Sequence, residues 1–146
     1  MTVSRPRSRI SRWLWAAAAF MVCLCQGPAR SQTTPRVIEI LATHQSRFVV
    51  QGESSPVITV KPGEDLTLRI TAVKAKNQNR DGSIHGLTLL RASDHQPVPG
   101  WDFLLKPGTQ EFNITAPTEA GEYLAVCTVI CSENHEGMTM KFVVQP

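Results

Sequence analysis

The sequence predicts an all-β domain, a Greek-key β-sandwich, behind an N-terminal export leader. Three observations predict it. Apolar and polar residues alternate with a period of two in several short runs, turn residues punctuate those runs, and no helical periodicity of useful length follows the leader.

The leader is read first, because it changes every count that follows. Arg5, Arg7, Arg9 and Arg12 form a positive stretch, Trp13 to Cys25 is uniformly apolar, and Gln26, Gly27 and Pro28 end the run. Ala29-Arg30-Ser31 then offers small residues where a signal peptidase needs them, so residues 1–31 are expected to be a cleaved signal peptide. A membrane span takes about 20 apolar residues and this run has 13, so a retained membrane anchor is not expected. Val22 and Leu24 precede Cys23 and Cys25 where a lipoprotein signal would want a small residue. Residues 32–146 are expected to form one exported, periplasmic or otherwise extracytoplasmic domain, soluble after cleavage.

Within it, Val37 to Ala42, Phe48 to Gln51 and Val57 to Val60 are short β-prone runs, and Lys61-Pro62-Gly63-Glu64 is a turn. Leu66, Leu68, Ile70 and Ala72 alternate with Thr67, Arg69, Thr71 and Val73, as a half-buried strand requires. Lys74 to Gly82 is polar and reads as a loop. Ile84 to Leu90 is strand, Pro97 to Gly100 and Lys106-Pro107-Gly108 read as turns, and Glu111 to Ala116 is strand again. Tyr123 to Cys127 and Met138 to Val144 make the last pair, around a ten-residue loop. Seven or eight strands follow, with no repeats and no internal linker.

Removing the leader reverses the charge. Five of the fifteen basic residues lie in it and all twelve acidic residues lie beyond it, which leaves a formal charge of about −2. The high pI of the whole chain is therefore no sign of a nucleic-acid partner. Two of the four cysteines also leave, and the remaining pair, Cys127 and Cys131, stands four apart. A disulfide closing so short a loop would remove little chain entropy, so another use is expected.

That use is metal binding. Cys127-Thr128-Val129-Ile130-Cys131-Ser132-Glu133-Asn134-His135-Glu136-Gly137-Met138 places two thiols, an imidazole and a thioether in twelve residues. Soft sulfur with imidazole selects copper over hard cations, and a loop held by two paired strands can fold its side chains together. A further ligand must come from elsewhere. His85 is the candidate, at the start of a strand and followed by Gly86, which admits a close backbone. His44 and His95 sit among polar residues and read as surface histidines, and Glu133 and Glu136 as solvated loop acids. Trp101 reads as a packing residue.

The pattern Cys-x3-Cys-x3-His-x2-Met, with a histidine some forty residues upstream, resembles the CuA domain of cytochrome oxidase subunit II and nitrous oxide reductase. The resemblance covers residues 32–146 as a cupredoxin-like domain. It implies two copper ions bridged by the Cys127 and Cys131 thiolates, with His85 and Met138 completing one, His135 the other, and the Val129 backbone carbonyl as the remaining ligand. Two bridging thiolates spread one unpaired electron over both metals, so each changes its bonding little on reduction. Cys131, His135, Met138 and His85 alone would make a mononuclear blue-copper set, and Cys127 argues for the second ion. In oxidases the Val129 position is usually a glutamate that also helps hold magnesium, a contact valine cannot make. The aromatic cluster near the first strands of those subunits is replaced here by His44-Gln45-Ser46-Arg47-Phe48.

The expected function is that of an exported one-electron carrier whose partner is another redox protein, such as a c-type cytochrome or an oxidase. Storage or delivery of Cu(I) in the periplasm is the alternative, and a CuA-like domain docking on a respiratory oxidase, as its electron-entry domain, is a third reading. No Ser-His-Asp pattern, phosphate loop or paired carboxylates stand out, and the metal motif fills its own coordination positions, so no catalytic residues are expected.

Overall fold

In a computed structural model, the described residues are 34–146 apart from Ala75; the signal-peptide expectation for residues 1–31 lies outside them. Nine strands form: β1 (Arg36–Ala42), β2 (Phe48–Val50), β3 (Val57–Val60), β4 (Asp65–Ala72), β5 (His85–Arg91), β6 (Pro97–Leu105), β7 (Gly108–Thr115), β8 (Gly121–Val126) and β9 (Thr139–Val144). A single 3-10 turn, His135–Gly137, is the one helical element among the described residues. None of them forms a helix long and apolar enough to cross a membrane.

The strands make two sheets, ordered β2-β1-β4-β7 and β3-β9-β8-β5-β6. The period-two pattern of β4 sorts its side chains as expected: Leu66, Leu68, Ile70 and Ala72 are buried while Thr67, Arg69 and Thr71 are not. From the second sheet Leu87, Leu89, Tyr123, Ala125, Met140, Phe142 and Val144 complete one continuous core. The polar face of the first sheet is laced by Arg69, which donates to both Glu39 and Glu111. Most neighbours are antiparallel, but β1 pairs with β4 and β3 with β9 in parallel. This is the all-β Greek-key sandwich expected from the sequence.

The stretch from Pro97 to Gly100 departs from that expectation. It is not a turn but the first half of β6, which pairs with β5 at the edge of its sheet. An edge strand tolerates Pro97 and Pro99 because one row of its backbone amides faces no partner. Gly100, at φ 79°, and a register shift between Thr88 and Leu90 absorb the irregularity. The same strand then turns Trp101 into the core, where its ring meets Phe142 edge-on at 5.0 Å and its indole N–H donates to the Thr115 carbonyl at 3.2 Å.

Candidate metal centre

Strand β5 supplies the first donor. Asp81 accepts both the Ser83 amide and its hydroxyl, Ile84 donates to the Leu105 carbonyl, and His85 enters the sheet opposite Leu105 with its side chain fully buried. The Nε2 of His85 lies 3.3 Å from the Val73 carbonyl, while Nδ1 is buried with no hydrogen-bond partner. An orphaned buried nitrogen is costly, and an imidazole that gives one N–H to a carbonyl while keeping the other lone pair free is the usual arrangement of a metal-binding histidine.

The β8–β9 connection supplies the sulfurs. Cys127 follows β8, and its amide donates to the Met138 carbonyl, closing the loop at its base. Inside the loop the Val129 carbonyl turns inward, accepting the Cys131 amide at 2.7 Å and lying 3.3 Å from the Cys127 sulfur. The two sulfurs are 3.9 Å apart, far beyond a disulfide bond, and both thiols are free and buried. The donor atoms of His85, Cys127 and Cys131 all lie within 4.8 Å of one another.

Gly86 is what lets the strand and the loop meet. Its amide points at the Cys127 sulfur, 3.4 Å away. A Cβ built on it would lie 2.5 Å from the Thr128 hydroxyl, 3.2 Å from the Thr128 amide nitrogen and 3.3 Å from a Val129 methyl. The Thr128 hydroxyl also receives a bond from the buried Thr88, which donates to Asp102 as well.

Of the six ligands expected from the sequence, the structure gathers His85, Cys127 and Cys131, with the Val129 carbonyl against them. Met138 is fully buried one residue before β9. His135 is not drawn into the cluster. Its half-buried ring sits on the 3-10 turn with Nδ1 3.1 Å from the Ser132 carbonyl. His44, exposed and set against the Lys74 carbonyl, and His95, in an exposed turn, stand apart, as do Glu133, paired with Lys76, and Glu136. Ile130 between the cysteines is exposed.

Burial shapes the protonation of these groups. It is the main cause holding the Cys127 thiol above its ordinary value, against the pull of the Gly86 amide, and the neighbouring Cys131 adds to the rise. Burial likewise holds the His85 imidazole below its ordinary value. A cation that displaced the thiol protons would remove the cost of keeping this pocket polar and dry. Two thiols, one imidazole lone pair and a carbonyl, all buried, fit a soft metal ion such as copper.

Ser46 and the Val73 carbonyl were not legible as parts of this site. The hydroxyl of Ser46, buried in the β1–β2 loop, lies 3.6 Å from the Cys131 sulfur and 2.6 Å from the Ser132 hydroxyl. Nothing in the polar run His44-Gln45-Ser46-Arg47 marks one hydroxyl as inward.

No protein-family model matches the chain, and no curated protein matches it. Solved structures do. A chain of a heme-copper terminal oxidase dimer is 18% identical over 77% of this chain and 66% of that one, with a TM-score of 0.53. Auracyanin B is 19% identical over 78% of this chain and 92% of its own, with a TM-score of 0.52. Auracyanin A, a "blue" copper protein from the green thermophilic photosynthetic bacterium Chloroflexus aurantiacus, is 23% identical over 76% and 99%, with a TM-score of 0.51. At these identities the likeness is one of architecture, and it agrees with the two-sheet topology described above: the chain has the cupredoxin-like fold.

Proposed function

We propose that this chain is an exported one-electron carrier with a binuclear copper centre of the CuA type. The observation that carries the proposal is the pair of buried, unbonded thiol sulfurs 3.9 Å apart with the orphaned nitrogen of His85 in the same cluster. In this reading Cys127 and Cys131 hold both ions, His85 and Met138 complete one, and His135 and the Val129 carbonyl complete the other. Copper, when bound, supplies a one-electron couple. The protein's part is to keep the donors in a rigid, dry loop end. The Gly86 amide and the Met138 carbonyl fix Cys127, the Val129 carbonyl fixes Cys131, and the Val73 carbonyl orients His85. Little rearrangement on changing charge favours fast transfer. The partner is another redox protein, reached after export and removal of residues 1–31.

Copper loading of the reduced protein, with metal counting and electron paramagnetic resonance of the oxidised form, tests this. Two coppers per chain with hyperfine coupling to both nuclei is the expected result; one copper, or none that can be reversibly oxidised, overturns the binuclear assignment. One observation favours a second reading. With His135 turned to the Ser132 carbonyl, the gathered set is two thiols and one imidazole, which suits one Cu(I) held for storage or delivery. Ready transfer of Cu(I) to an acceptor, with no stable oxidised form, would support it.

A further inference from the structure

We propose that Ser46 is a positioning residue of the copper centre, whose hydroxyl donates a hydrogen bond to the Cys131 sulfur and thereby favours the reduced state. The inference rests on the copper reading above and adds a residue that lies outside the ligand motif, 85 positions before Cys131.

The direction of the bond follows from counting protons. A serine hydroxyl has one proton to give and two lone pairs. Ser132 Oγ already accepts the Asn134 amide at 3.1 Å and lies 2.6 Å from Ser46 Oγ, which lies 3.6 Å from Cys131 Sγ. A metal-bound Cys131 is a thiolate and can only accept. Hydrogen bonds to a charged acceptor are the stronger ones, so the Ser46 proton goes to the sulfur and the Ser132 proton goes to Ser46. The chain then runs from Asn134 N–H to Ser132, from Ser132 to Ser46, and from Ser46 to Cys131, each donor used once.

The backbone aims the hydroxyl. Ser46 is 4% exposed and has φ 56°, in the left-handed region where glycine is the default. It is pinned there by its own amide on the Thr43 carbonyl, by the Arg47 amide on the Thr43 hydroxyl, and by the Thr43 amide on the Arg47 carbonyl. A hydrogen bond draws electron density from a thiolate, weakening its donation to an oxidised metal more than to a reduced one.

Ser46→Gly removes the hydroxyl while relaxing the left-handed backbone, and Ser46→Ala removes it without that relief. In the copper-loaded protein the ratio of Cu(I) to Cu(II) affinity is expected to fall about tenfold in Ser46→Gly, as loss of one hydrogen bond to a charged group implies. The reduction potential drops accordingly, and the sulfur-to-copper absorption band moves to longer wavelength. Ser46→Ala shifts both in the same direction. An unchanged potential and band in a folded, copper-loaded Ser46→Gly protein overturns the inference and leaves the hydroxyl a loop-closing role. Absence of any sulfur-to-copper band in the unsubstituted protein is a different failure: it sinks the copper reading itself, and the Ser46 assignment with it.

Discussion

At Gly86 a single hydrogen separates a working site from a displaced one. Ala in its place would press a methyl onto the Thr128 backbone and side chain, and since the Thr128 amide cannot swing away as a side chain end can, the loop must move. Gly86→Ala is expected to cost about 1–3 kcal/mol in denaturant unfolding and to weaken copper binding by at least tenfold in competition titrations. His85 presents the opposite trade. In the metal-free protein its buried Nδ1 has no partner, so His85→Leu is expected to stabilise that form by about 1 kcal/mol while abolishing copper binding. The pH dependence separates the two proteins. Burial holds the imidazole below its ordinary 6.5, so on acidification the unfolded chain takes up the proton first. The stability His85 permits is complete above that value and is lost as pH falls through it toward the folded value; the metal-free leucine variant loses this component of the acid sensitivity. Urea midpoints across that window check both statements.

Among the elements, β6 is the least like its sequence and β4 the most. Leu66, Leu68, Ile70 and Ala72 announced a half-buried strand because a strand with one wet face must alternate. Pro97-Val98-Pro99-Gly100 announced a turn because those residues usually make one; only the sheet order reveals that this strand is an edge, where proline costs no ladder bond. Trp101, correctly read as packing, anchors this strand through Phe142 and the Thr115 carbonyl. Trp101→Ala is expected to lose about 3–5 kcal/mol in thermal or denaturant unfolding, with the copper site intact in whatever fraction remains folded. The metal loop was legible for a different reason: its donors are close in sequence, so spacing alone brought Cys127, Val129 and Cys131 together. His85 could be chosen only because one glycine beside it implied a close neighbour. His135 shares the motif but not the cluster, since residue spacing does not determine a ring's rotation on its turn.

For the molecule as a whole, the two-layer class followed from pattern, but the parallel pairs β1–β4 and β3–β9 did not, because nothing local in a strand records which distant strand lies beside it. Those pairs decide which loops share an end of the sandwich. The β1–β2 loop belongs to one sheet and the Cys127–Met138 loop connects strands of the other, yet Ser46 reaches Cys131 and Ser132 across the gap. The centre is thus also a clasp between layers whose principal bond is apolar packing. Filling it should slow amide hydrogen–deuterium exchange in its own loop and also from Thr43 to Arg47, a segment that supplies no ligand. A mass-resolved exchange map of the loaded and empty protein would show that second protected segment; protection confined to the Cys127–Met138 loop would mean the two layers breathe independently.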